Sequence, residues 1–98
     1  RDIDAFLSFY AEDVLIERLP EGKVLHENRE SMREGYQKLF DASPELNCHI
    51  LSRTISGSIV IDHEFVTGAR GGDAIRAVAV YEVVDGLIQR VMFLPKED

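Results

Sequence analysis

The stretch "AVAVYEVVDGLIQRVMF", residues 77–93, decides the fold. Asp85 and Gly86 tolerate positive φ and stand between two β-branched, apolar runs, which is the signature of a tight two-residue hairpin. In the first arm both alternating faces are largely apolar. Ala77, Ala79, Tyr81 and Val83 form one face, and Val78, Val80 and Val84 form the other. A strand apolar on both faces has to be covered twice. Upstream lie "LNCHILSRTI" (46–55), the turn "SGS", "IVIDHEFVTG" (59–68) and the loop "ARGGD" (69–73). With "LIQRVMFLP" (87–95) as the closing strand, these segments predict an antiparallel, four-stranded meander.

Two helices precede it. In "DIDAFLSFYAED" (2–13), Ile3, Phe6, Leu7 and Tyr10 fall on one helical stripe, and Asp2 is placed to cap the start. "VLIERL" (14–19) predicts a strand, which "PEGK" turns toward "VLHE". The clearest helix is "NRESMREGYQKLFDASP" (28–44), with Met32, Tyr36, Leu39 and Phe40 on one side, Asn28 as cap and Pro44 as stop. Gly35 inside it costs roughly 1 kcal/mol relative to Ala, so something is expected to pack closely there. The order of elements predicts one α+β domain over residues 1–98. The helices can cover one face of the sheet, and too little chain remains for the other. A partner subunit is therefore expected, as a twofold homodimer through the sheet, the alternative being an exposed valine patch.

Composition narrows the partners. The 98 residues are 45% hydrophobic and 30% charged, as in a globular domain. A net charge of -7 argues against nucleic acid and anionic membrane surfaces. No apolar run approaches the ~18 residues that span a bilayer, and no signal-peptide core is present. The single cysteine, Cys48, excludes an intramolecular disulfide and fits a reducing compartment, so a cytoplasmic location is expected. His26, His49 and His63 lack metal-ligand spacing, so neither a metal nor another cofactor is expected. "ARGGD" joins two strands and lacks the Lys and Ser/Thr of a phosphate loop, and it reads as a flexible hairpin tip.

"DIDAF…YAEDV" at the start and the "DGLI" hairpin near the end, in this order of elements, resemble the nuclear transport factor 2-like superfamily. The likeness is greatest to its SnoaL-like and ketosteroid isomerase-like branch and extends over essentially the whole chain. It implies a cone, in which a curved sheet wraps helices around a deep apolar pocket, and dimers through the sheet. It also implies a longer first helix than this chain has, so that one wall of the cone would be missing and the sequence would be part of a longer protein.

The isomerase's own residues do not carry over. Eight positions beyond Tyr10 stands Arg18 where the resemblance implies a general base, while Glu17 beside it points to the opposite face. Ala79 stands where an oxyanion-binding acid is implied, and it can donate nothing. Attention moves to "IVIDHEFVTG". On a strand, Asp62 and Glu64 share one face with Val60 and Val66, while His63 lies with Ile61 and Phe65 on the other. If the first face looks inward, two carboxylates meet in an apolar cavity, where burial and like charge raise at least one pKa and suit acid/base work. If the second does, His63 is the pocket base. The reading adopted puts Asp62 and Glu64 inward as proton-transfer groups, with Arg18 orienting a carboxylate or the substrate. Tyr81 is the expected hydroxyl donor, and Tyr36, Ala79, Phe93 and His63 are further ligand contacts. The expected ligand is a small, largely apolar molecule. The expected function is cofactor-free isomerisation, hydration or cyclisation, with a non-catalytic binding or dimerisation module as the alternative.

Overall fold

A computed structural model describes residues 2–94, which excludes Pro95 of the closing stretch quoted above. The chain runs α1 (Ile3–Leu7), β1 (Tyr10–Arg18), β2 (Lys23–His26), α2 (Arg29–Asp41), β3 (Asn47–Ser56) and β4 (Ile59–Thr67), then β5 (Ile75–Val84) and β6 (Leu87–Phe93). The six strands form one curved sheet in the order β2-β1-β6-β5-β4-β3. Strands β3 to β6 form the antiparallel meander, and β5 turns into β6 through Asp85 and Gly86 at φ 52° and 80°.

The first helix is shorter than its apolar stripe predicts. It ends at Leu7, and from Tyr10 the chain is strand, paired parallel to β6. The free edge of β6 supplies the reason: Ile88 N–H donates to the Phe9 carbonyl at 2.8 Å, and the strand that follows buries Val14 and Ile16 completely or nearly so. Tertiary pairing overrides a local helical preference. The sheet is accordingly mixed at this one junction.

Asp2 caps α1 by accepting from Ala5 N–H, and Asn28 caps α2 by accepting from Ser31 N–H at 2.7 Å. Leu7, Tyr10, Val14, Ile16, Met32 and Val91 form the core between the helices and the β1–β6 half of the sheet. Phe6 bridges the helices to it, with ring centroids 5.0 Å from Tyr36 and 5.2 Å from Tyr10. The close neighbour of Gly35 is His26: a β-carbon at Gly35 would stand 3.0 Å from its ring. Among the described residues no helix is long and apolar enough to cross a membrane.

Candidate functional site

Strand β4 brings Val60, Asp62 and Glu64 to the same side as the helices, and both carboxylates are buried, at 3% and 9% exposure. They line a cavity of about 380 Å³ whose apolar walls come from Phe6, Tyr10, Ile55, Val83 and Ile88. A second hollow of about 420 Å³ lies between α2 and the sheet and shares Phe6, Tyr10, Glu64 and Tyr81 with the first. Glu64 and Tyr81 therefore stand where the two spaces meet.

Asp62 is held by a fork. Arg53 donates from Nε to Oδ1 at 2.7 Å and from Nη2 to Oδ2 at 2.8 Å. A bidentate guanidinium–carboxylate pair combines charge with fixed geometry. The pairing depends on a bulge in β3. Ile50 lies opposite Glu64, but the next paired residue, Ser52, lies opposite His63, so Leu51 is the extra residue. That extra residue puts Arg53 opposite Asp62. Were Leu51 instead paired regularly with His63, Arg53 would fall opposite Ile61 on the outer side, since a one-residue shift turns every side chain over.

Glu64 has no such fork; it accepts a hydrogen bond from Tyr81 Oη at 3.1 Å and another from the Cys48 thiol. Its pKa is raised, first by burial and then by the charge of Asp62, against the lowering effects of the Tyr81 hydrogen bond, Arg53 and the Cys48 hydrogen bond. The phenols respond in kind. Burial, followed by the charge of Glu64, pushes Tyr36 up to about 12. Burial leads again for Tyr81 and Tyr10, which are raised further still. All three stay protonated at neutral pH and can donate. Cys48, which also lines the second hollow, is raised by burial and then by the two carboxylates, so its thiol stays protonated.

The predicted residues separate into groups. Asp62, Glu64 and Tyr81 come together, with Tyr36 and Phe93 lining the adjoining hollow. Arg18 is a correction. It shares the inward face but lies in β1, with β6 and β5 between it and β4, roughly 14 Å from Asp62 at ordinary strand spacing. Arg53 takes the place expected of it. Ala79 is also corrected: it is fully buried between Asp62 and Phe93 in the same cross-sheet row, leaving a ligand nothing to touch. His63 points to the outer face, away from both carboxylates, because side chains alternate along β4. Glu17 faces outward too and pairs with Arg90 at 2.6 Å. Sequence reasoning missed Arg53 and Tyr10. Simple alternation groups Arg53 with Leu51, and Tyr10 reads as the end of a helix. Among the described residues, no group of three or more His, Cys, Asp or Glu converges as a metal ion would need.

Comparison with known proteins agrees with this architecture. A cystatin-fold protein from Novosphingobium aromaticivorans superposes with a TM-score of 0.83 at 26% identity, over 96% of this chain and 85% of that one. A proposed ketosteroid isomerase from Kribbella flavida gives 0.81 at 21% identity, over 98% of this chain and 66% of its own. A proposed polyketide cyclase from Sinorhizobium meliloti gives 0.77 at 22% identity, over 94% and 81%. No curated protein matches the sequence. The SnoaL-like domain family matches residues 1–91, nearly the whole chain, and the protein therefore belongs to that family.

Proposed function

We propose that the hollow around Glu64 binds a small, largely apolar molecule bearing a carbonyl or similar polar group, and that Glu64 transfers a proton on it without a cofactor. The reaction class is isomerisation, hydration or cyclisation. One observation carries the reading: two buried carboxylates lie side by side under apolar walls, and only one of them has a cation fork. The arrangement ties Asp62 to Arg53 and leaves Glu64 as the group placed to exchange a proton. In its ionised form Glu64 accepts a proton from a carbon beside the carbonyl and later returns it. The protonated phenols of Tyr81, Tyr10 and Tyr36 supply donors for charge developing on the carbonyl oxygen. Structural relatives are described as a proposed ketosteroid isomerase and a proposed polyketide cyclase, names that fall within these reaction classes. The fold itself does not decide the matter, since one fold hosts many activities.

The test is a thermal-shift screen against steroids, aromatic polyketides, terpenoid epoxides and small enones, followed by turnover assays on any binder. Native-state binding at a hundredfold over Kd stabilises by roughly 2.7 kcal/mol, enough to register. Glu64→Gln is expected to lower turnover by about 10²- to 10⁴-fold while ligand still binds. Unchanged turnover in that variant would leave only a binding module. The outer face of the sheet, with Ile61, Val78, Val80 and Val84, supports a homodimer, because Ile61 and Val84 remain 38% and 44% exposed in the single chain. A monomeric mass in sedimentation at micromolar concentration would sink that part of the reading.

A further inference from the structure

A third hollow of about 390 Å³ lies on the far side of Tyr36 and Phe93 from Glu64, and it is lined by Arg18, His26 and Arg70 with no Asp or Glu. In a chain with 18 acidic and 11 basic residues that lining is unusual. Arg33, Arg53 and Arg90 each pair with a carboxylate. Among the described residues Arg18 and Arg70 have no such partner, and they face the same space.

Arg70 is held there by its loop. It adopts φ 51° and ψ 30°, a left-handed conformation that side chains other than glycine seldom take. Its N–H donates to Ser43 Oγ at 2.7 Å, and Ser43 is fully buried. Gly68 lies so close to the Glu45 carbonyl that a β-carbon would be 2.2 Å from its oxygen. The "ARGGD" segment is thus docked onto the turn after α2. This corrects the expectation of a plain hairpin tip.

The hollow also adjoins the candidate site. Tyr36, Leu39 and Phe93 line both it and the space containing Glu64, and Ala77 in its wall lies directly opposite Glu64 on the neighbouring strand. We propose that it is a carboxylate subsite, in which Arg18 and Arg70 bind the acidic end of an elongated ligand whose apolar body passes Tyr36 and Phe93 toward Glu64. Across the sheet the Arg18 and Glu64 backbones lie three strand spacings apart, roughly 14 Å, and the long Arg18 side chain shortens the span the ligand must cover. Guanidinium forks match a carboxylate, and the apolar walls between the arginines and Glu64 suit a hydrocarbon body. The substrate class becomes an amphiphilic acid rather than a neutral molecule. This inference rests on the ligand-binding reading of the Glu64 hollow.

Octanoate and octan-1-ol, matched in length, distinguish the two claims by calorimetry at fixed ionic strength. The expected result is that octanoate binds at least about tenfold more tightly than the alcohol, the order expected for hydrogen bonds to charged groups. Arg18→Gln and Arg70→Gln should each bring octanoate toward the alcohol's affinity and leave the alcohol unchanged. Both arginines are exposed, so neither change removes a packed core side chain. Equal binding of the two probes by the parent protein would overturn the subsite but keep the apolar hollow. Binding of neither would overturn the ligand-binding reading itself. A preference that survives both variants and disappears in Arg53→Gln would put the anion at the other cavity and overturn the subsite. Glu97 and Asp98 follow closely in sequence and carry competing charge. The same titrations are therefore run with E97Q/D98N, and a preference absent in both backgrounds also overturns the proposal.

Discussion

Around β1, β6 and the helices the molecule buries Leu7, Val14, Ile16, Met32 and Val91 to 2% exposure or less. Along β3 all ten residues are exposed, and the most buried side chains of β4 are carboxylates. One half of the sheet is therefore a hydrocarbon core, and the other is a polar floor under an open cavity. The difference teaches where stability and chemistry reside. Burial of apolar surface on the first half supplies the driving force that the second half, with two neighbouring acids, lacks. The sharpest way to break the comparison is to truncate matched isoleucines. Ile16→Ala, at 1% exposure, is expected to cost about 2–5 kcal/mol in urea unfolding. Ile55→Ala, at 68% exposure, should stay within about 0.5 kcal/mol of the parent. Similar losses at both positions would mean that the cavity half is as tightly packed as the core.

The next effect tests whether the polar floor depends on one fork. Arg53→Gln would leave Asp62 buried without its fork while the backbone stays in place. The expected outcome is a lower thermal midpoint at neutral pH and loss of ligand binding, with a smaller loss of stability than Ile16→Ala. Adding Asp62→Asn to Arg53→Gln should recover stability, because the uncompensated charge is then gone. Strictly additive losses in that cycle would show that the fork does not couple the two residues.

The same contrast explains what the sequence made legible. Regular alternation holds along β4, so the inward grouping of Asp62 with Glu64 could be written from residues 59–68 alone, with only the choice of face left open. Glycine at an unexpected helical position pointed correctly to a close neighbour, which is His26. The readings that failed lie where one extra residue or one distant edge intervenes. The bulge at Leu51 joins Cys48 and Ile50 to the face of Arg53 and Ile55, and no local pattern announces it. The early end of α1 is set by β6, about 80 residues away in sequence, whose edge captures Phe9 and Tyr10. Arg18 was placed on the right face and the wrong side of the cone, because alternation gives facing and says nothing about how many strands intervene.

The smallest effect concerns the proton that Glu64 holds. Its pKa in the folded chain is raised above the unfolded value. Between those two values the native state keeps a proton that the unfolded chain has lost, so stability falls as pH rises through that window. Glu64→Gln removes this contribution, and its thermal midpoint should change less with pH over the window. Tyr81→Phe acts the other way. The Tyr81 hydrogen bond favours the charged carboxylate, so its loss lets the Glu64 pKa rise further and extends the declining limb to higher pH. The lost hydrogen bond itself is worth about 0.5–1.5 kcal/mol. Thermal midpoints from pH 4 to 8 for the parent and both variants read the order directly: E64Q flattest, parent intermediate, Y81F with the longest decline. If Y81F and the parent overlay while E64Q differs, Tyr81 does not tune the carboxyl, and burial alone sets it. If all three overlay, the polar half of the sheet holds no proton of raised affinity. The division between a hydrocarbon core and a chemical floor would then be one of packing only.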